Sequence, residues 1–326
     1  MEIHNRDNSG GKSCIVTGGN GYIGSYLVRS LVNADYKVYV ICRSKWVNAC
    51  SYNSMVETIH MDLCDIDEYG KLHAIKSDNV IHLAGQSLSS KSIEDPLKDL
   101  KSNVIGTINM LQWCKDNNVR KFVYASTMRV YGDHDKPLHE EMLCAPDSFY
   151  GVSKYAAEHY VRLYAGGKLD TVIFRLFNVY GPGGGVGNHP HGLVASLFSA
   201  LLRKEPIVSK GSFDRVRDLI HLSDVINVFF RALEAKYVFN GAIYNLASGI
   251  SVTIGGLIDE MISVSGYNDY PIIEEQMMPG DCFKILADIN KISSKFNWLP
   301  RVTLSEGIKE MVGLYLHGKP LSTGRI

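Results

Sequence analysis

No surplus charge of either sign marks this chain: Lys plus Arg and Asp plus Glu number 34 each, and no long block of like charges occurs. That balance excludes the basic footprint of a nucleic-acid or membrane-surface binder, so small molecules are the expected partners. Long apolar runs are missing too, and no stretch approaches the roughly 20 residues that a membrane-spanning helix needs. The seven cysteines (Cys14, Cys42, Cys50, Cys64, Cys114, Cys144 and Cys282) are odd in number, scattered and never spaced Cys-x-x-Cys. This excludes a disulfide framework and points to a reducing, cytoplasmic setting. Residues 1–12 are polar and rich in Gly, Ser and Asn. Without an apolar stretch they read as a disordered N-terminal tail, not a signal peptide. Internal repeats and low-complexity segments are also lacking.

What is present is an alternation. Short β-branched runs (Cys14 to Thr17, Val38 to Ile41, Thr58 to Met61, Val80 to Leu83, Phe122 to Ala125, Val172 to Phe174) are separated by amphipathic segments. One such segment carries Ile23, Leu27 and Leu31, and another Val104, Ile108, Leu111 and Trp113. Buried strands joined by helices imply a parallel sheet, so the expected class is α/β, a doubly wound (Rossmann) sheet. After Tyr180 the texture changes to Gly181-Pro182-Gly183-Gly184-Gly185, which places a transition there. The expected organisation is a nucleotide-binding domain over 13–180, then a smaller C-terminal α/β substrate lobe over 181–326, with some segments returning to the first domain. Helices are expected at Leu193 to Arg203, Ser223 to Ala235, Ile254 to Val264 and Leu304 to Tyr315.

Two local patterns suggest chemistry. Gly18-Gly19-Asn20-Gly21-Tyr22-Ile23-Gly24 follows the first strand and opens a helix. There Gly18 permits a tight turn, Gly21 lets backbone approach a pyrophosphate, and Gly24 packs helix on strand, with the helix N-terminus facing the anion. An ordinary tight turn would use glycine as well. Tyr150-Gly-Val-Ser-Lys154 places a phenol and an ammonium on one helix face. A phenol of pKa near ~10 is a poor acid-base group at neutral pH unless a cation favours its ionised form, which Lys154 would supply. Such a pair also arises by chance on helix surfaces. Ser126 and Thr127 end the fifth strand, at the sheet edge where ligands bind; they orient a substrate oxygen or cap a turn.

Taken in order, these motifs resemble the extended short-chain dehydrogenase/reductases of the nucleotide-sugar epimerase, dehydratase and reductase group. The resemblance runs nearly end to end. It also takes in Met61-Asp62-Leu63, His82-Leu83-Ala84-Gly85-Gln86, Asn103-Val104-Ile105-Gly106-Thr107, Val130-Tyr131-Gly132, Arg175-Leu-Phe-Asn178-Val-Tyr-Gly181-Pro182 and Arg217-Asp218-Leu-Ile-His221-Leu-Ser-Asp224. It implies Thr127 as the catalytic hydroxyl, Tyr150 as the acid-base and Lys154 as its activator and ribose ligand. It implies a cofactor along Gly18, Gly21, Tyr22, Ile23, Gly24, Asp62, Leu63, Leu83, Ala84 and Gly85. Gln86, Ser87 and Ser126 would lie by the nicotinamide or sugar, and Asn178 and Arg217 by the diphosphate of a nucleotide-sugar substrate. A homodimer built on the helices bearing Asn103 and Tyr150 is implied as well.

Departures from the pattern refine these expectations. Cys42 occupies the slot where NAD-specific members carry an acidic residue, and Arg43 follows it; this suits a 2′-phosphate and favours NADP over NAD, although a solvated Arg43 accounts for the same pattern. Met128 and Arg129 stand where dehydratases carry an extra acid and base, which disfavours dehydration. Met277-Met278-Pro279-Gly280-Asp281 lacks the basic residue that often precedes Pro-Gly-Asp. His189 and His191 without a carboxylate or cysteine at ligand spacing are a weak metal site, so no metal is expected. His82 reads as a packed core residue. The expected activity is hydride transfer at C4 of a nucleotide-diphosphate sugar, with reduction of a 4-keto-6-deoxy sugar preferred and NAD-dependent 4-epimerisation as the alternative. A non-catalytic dinucleotide sensor and a scaffold are the rival classes, and Thr127, Tyr150 and Lys154 argue against both.

Overall fold

A computed structural model describes residues 12–43, 53–183, 186, 190, 192–276 and 282–317. The first half runs β1 (Ser13–Thr17), α1 (Tyr22–Asn33), β2 (Lys37–Cys42), β3 (Val56–His60), β4 (Asn79–His82), α2 (Ser89–Glu94), α3 (Pro96–Leu100), α4 (Gly106–Asp116), β5 (Lys121–Thr127), α5 (Phe149–Tyr164), β6 (Asp170–Leu176) and β7 (Asn178–Tyr180). It continues through α6 (Leu193–Arg203), β8 (Ile207–Lys210), β9 (Val216–His221), α7 (Leu222–Glu234), β10 (Ala242–Leu246), β11 (Ser251–Thr253), α8 (Ile254–Ser265), β12 (Ile272–Glu275), α9 (Asn290–Phe296) and α10 (Leu304–His317). The expected tail lies outside the described residues apart from Lys12.

The main sheet has seven parallel strands in the order β10-β6-β5-β4-β1-β2-β3. Side chains alternate between its two faces, and both faces of the inner strands are buried, so these strands are mostly apolar. Cys14, Val16, Val38, Val40, Val123 and Phe174 meet Leu27 of α1, Phe229 of α7 and Phe296 of α9 on one face. Ile15, Ile41, Val80, Phe122 and Ile173 meet Leu111 of α4 and Val161 of α5 on the other. The strand order reverses beside β1, which has β2 on one side and β4 on the other. Such a reversal opens a crevice at the carboxyl ends of the strands.

The six strands read from sequence all form. The seventh, β10, comes from the C-terminal half and pairs along β6 from Ala242 opposite Val172 to Leu246 opposite Leu176. A three-stranded sheet, β11-β9-β7, and a two-stranded one, β12-β8, complete the structure. Their core gathers Tyr180, Phe198, Leu219, Ile258 and Met311.

Candidate active site

A cleft of about 590 Å³ follows the carboxyl ends of β1, β2, β4 and β5 and continues to the segment after β6. Its size suits a small organic ligand, for which roughly 300–1,000 Å³ is usual. At one end lies the glycine turn. Gly18 has φ +70°, and a Cβ there would sit 2.8 Å from the Ala84 amide nitrogen. At Gly24 a Cβ would run into the Gly18 carbonyl oxygen. The backbone of the turn therefore touches both the β4 loop and α1, and no larger side chain fits at either place. Gly21 caps α1 without a side-chain hydrogen bond, so the first-turn amides open on the cleft and present partial positive charge to an anion. These features fit a dinucleotide.

The far wall is built on β5 and α5. Ser148 caps α5, its Oγ accepting from the Gly151 amide at 3.1 Å, which fixes where Tyr150 and Lys154 leave the helix. Thr127 ends β5 and faces the cleft. Its Oγ1 also accepts from the Arg129 amide at 3.2 Å, so the capping role and the cleft position coexist. Burial pushes the Tyr150 phenol up to about 12, against a hydrogen bond from Thr127 that lowers it; Asp99 adds to the rise and Arg129 opposes it.

Burial pulls the Lys154 ammonium down to about 7, while Glu158 and Asp99 hold it up. Its Nζ donates to the Ala125 carbonyl at 2.6 Å and lies 4.2 Å from the centre of the Tyr124 ring. Thr127 and Arg129 are the groups that lower Tyr150 here, and Lys154 Nζ is turned to the Ala125 carbonyl of β5.

Of the residues singled out from sequence, Gly18, Gly21, Tyr22, Ile23, Gly24, Arg43, Asp62, Leu63, Leu83, Ala84, Gly85, Gln86, Ser87, Ser126, Thr127, Tyr150, Lys154 and Asn178 all line this one cleft. Arg217 does not. It is buried on β9, donating to the carbonyls of Val216 at 2.8 Å and Phe283 at 3.4 Å. Gln86 lines the wall with both amide hydrogens already engaged, to Leu88 O at 2.7 Å and Asp99 Oδ1 at 3.1 Å, so its side chain cannot donate to a substrate without leaving its loop. Ser126 donates to Glu158 Oε1 at 2.5 Å, and Glu158 is forked by Arg175 beneath the cleft floor.

At the opposite end Arg43 Nη1 stands 3.9 Å from Asp62 Oδ2, both half exposed. Asn20 donates to Cys42 Sγ at 3.2 Å in the slot expected to hold a carboxylate. His82 touches Thr17 and Thr107 and stacks on Phe122 and Tyr124, and burial lowers it to about 3. It is a neutral core residue.

Lining residues given no role from sequence include Asn20, Cys64, Ser102, Met128 and Phe177. The first two sit inside or beside motifs already quoted, and Phe177 precedes Asn178. Ser102 had no signal. His189, His191 and Met277 to Asp281 lie outside the described residues. Among the described residues no group of three or more His, Cys, Asp or Glu could hold a metal ion, and no helix is long and apolar enough to cross a membrane.

A doubly wound sheet with a glycine turn at its switch point, facing a helix that carries a tyrosine and a lysine, defines the class of nicotinamide-dependent Rossmann enzymes. The chain belongs to the NAD dependent epimerase/dehydratase family, whose model matches residues 14–247. It is similar to UDP-glucose 4-epimerase of Thermotoga maritima, solved with UDP-glucose: TM-score 0.86 at 29% identity, over 94% of this chain and 99% of that one. Similar too is UDP-glucuronic acid 4-epimerase of Bacillus cereus, in complex with UDP-glucuronic acid and NAD: TM-score 0.85 at 28% identity, over 94% and 100%. A dTDP-D-glucose 4,6-dehydratase of Homo sapiens is 30% identical over 323 residues, 93% of this chain and 90% of its own length. The epimerase alternative is therefore better backed than the reduction preferred from sequence, and the NADP preference finds no support in the NAD-bound Bacillus cereus structure.

Proposed function

We propose that the protein is a nucleotide-sugar 4-epimerase that retains NAD. The observation that carries this reading is the wall around Tyr150: Thr127 bonds the phenol, Met128 follows on the cleft surface, and Asp62, at the far end, is the sole carboxylate among the described lining residues. Elimination of water needs a further acid and base beside the sugar, whereas epimerisation needs one acid-base group used twice. A nicotinamide held in this cleft would supply the hydride acceptor and donor for C4 of the sugar.

Tyr150 takes the C4 hydroxyl proton as the hydride leaves, and returns it once the 4-keto sugar has presented its other face. Thr127 donates to the same oxygen and steadies the ionised phenol. The cofactor would be held by the glycine turn and the α1 N-terminus at the pyrophosphate, by Asp62 and Leu63 at the adenine, and by Leu83, Ala84, Gly85 and Lys154 towards the nicotinamide. Ser87 is left for the sugar, along with the lone pairs of Ser126, whose hydrogen goes to Glu158. Asn178 offers the diphosphate its second amide hydrogen, the first going to the Asp218 carbonyl at 2.9 Å.

Arg43 beside Cys42 favours a second reading, reduction of a nucleotide-linked 4-keto sugar by NADPH. The two readings separate in one experiment. UDP-glucose supplied without added cofactor should yield its C4 epimer, read by NMR. A nucleotide-4-keto sugar supplied with NADPH should leave the nicotinamide absorbance unchanged. Stoichiometric NADPH loss in the second arm, with no epimer in the first, overturns the epimerase reading in favour of reduction.

A further inference from the structure

The slot at the end of β2 is neutral: Cys42 Sγ accepts from the Asn20 amide at 3.2 Å and lies 3.8 Å from His60 Nδ1. The carboxylate at this end of the cleft comes instead from the next strand. β2 and β3 run parallel with Cys42 opposite His60, and the Met61 amide donates to the Cys42 carbonyl at 3.1 Å. That register brings Arg43 and Asp62, just past the ends of the two strands, side by side on the cleft wall, with Nη1 3.9 Å from Oδ2.

The two partners are not held alike. Asp62 Oδ1 accepts from the Cys64 amide at 3.0 Å, and the Asp62 amide donates to Glu68 Oε2 at 2.8 Å in the short helix Ile66–Leu72. Lys71 of that helix pairs with Glu68 at 3.2 Å and donates to the His60 carbonyl at 3.0 Å, so the helix is tied back to β3. The Asp62 carboxylate is thus fixed by its own turn. Arg43, on a long flexible stem, is tied by the ion pair alone among the described residues.

We infer that Asp62 is the residue that selects NAD over NADP, by neutralising Arg43 and by holding a fixed negative charge where a 2′-phosphate would enter. The inference rests on the reading above, in which a dinucleotide lies in this cleft with its adenosine at the Asp62 end. A ribose hydroxyl is neutral and donates to a carboxylate, whereas a 2′-phosphate brings roughly two negative charges. It would have to draw Arg43 away from Asp62 and then lie beside the carboxylate left behind. The half-exposed ion pair contributes little to stability by itself. What matters is the charge that an arriving phosphate meets: Arg43 alone would welcome it, and Arg43 beside Asp62 does not.

The test reads bound nucleotide, not turnover. Wild type and variants are incubated with an equimolar excess of NAD and NADP until the bound composition is constant, then desalted and denatured, and the released nucleotides are quantified by chromatography. Wild type should retain mostly NAD. Asp62→Asn, which keeps an oxygen for the Cys64 amide, should move the NAD-to-NADP ratio towards NADP by about tenfold. Asp62→Ser should move it the same way. Arg43→Ala should not move it towards NADP, and adding Asp62→Asn to that variant should give only a minor part of the shift, because no guanidinium is freed.

A ratio unmoved in both Asp62 variants, a full shift in the absence of Arg43, or a wild type that retains mostly NADP overturns the inference. An unmoved ratio with epimer still formed from UDP-glucose overturns it alone and leaves the functional reading standing. Absence of epimer while the ratio shifts as expected overturns the functional reading and supports the role of Asp62.

Discussion

Replacing Glu158 with Gln probes how the floor of the cleft is held. Glu158 Oε1 accepts from Ser126 at 2.5 Å and Arg175 Nε at 3.0 Å, and Oε2 accepts from Arg175 Nη2 at 2.7 Å. Both side chains of the pair are almost fully buried, at 2% and 1% exposure, and the guanidinium lies 4.6 Å from the centre of the Tyr131 ring. An amide retains one oxygen for two of these donors and turns its NH₂ against the third. The guanidinium cannot escape by losing a proton, so it stays charged with no counter-ion. Removing one partner of such a pair costs about 3–5 kcal/mol. For a chain of this size about 2–4 °C are lost per kcal/mol, so the midpoint should fall by roughly 6–20 °C.

Thermal and urea unfolding of four proteins decide the matter: wild type, Glu158→Gln, Arg175→Met and the double variant. The double variant should recover most of the loss, since the stranded charge leaves with Arg175, and the cycle gives the coupling directly. Glu158→Gln melting within a degree or two of wild type, or a double variant no better than the single, would refute the account of this pair as a buried support for Ser126.

Further expectations concern the site and its setting. Tyr150→Phe should lower turnover by about 10²–10⁴-fold with cofactor affinity nearly unchanged, measured by steady-state kinetics beside a nicotinamide titration. Lys154→Met should weaken both, and a change confined to stability would reassign it as structural. Because burial holds His82 at about 3 while the unfolded chain binds that proton near ~6.5, the unfolded state gains the proton first. Stability should therefore decline as pH falls from about 6.5 towards 3, and His82→Gln should flatten that part of a urea-midpoint profile. Leu97, Val152 and Leu163 are 72%, 50% and 80% exposed on the packed helices α3 and α5. If a second copy of the chain covers them, light scattering gives a dimer mass that Leu163→Glu reduces to the monomer's.

Short, nearly continuous β-branched runs made six strands of the main sheet legible, because burial on both faces leaves little room for polar residues. β10 escaped notice for the converse reason. Its Asn245 is fully buried, its side chain hydrogen-bonded to Tyr131 at 2.6 Å and to Leu138, so a polar residue interrupts the run where a tertiary partner satisfies it. The cleft wall was equally readable wherever a motif is contiguous, as in the glycine turn or Tyr150 and Lys154. Its supports were not. Ser126 meets Glu158 across 32 positions and Ser153 meets Asp99 across 54, and no local period records such pairings. Arg217 and Lys154 show the remaining limit, since a motif fixes where a residue stands but not which way a long cation turns.

The outermost position of β10 bears on how the chain can be made. Until Ala242–Leu246 has emerged from the ribosome, β6 has a bare flank, with its backbone amides and carbonyls open to any extended segment nearby. A fragment ended after β7 would keep the glycine turn, Tyr150 and Lys154 yet carry that flank permanently, along with the apolar residues that α7 and α9 cover. Such a piece should cluster with its own kind on synthesis, so the two halves need to be expressed together.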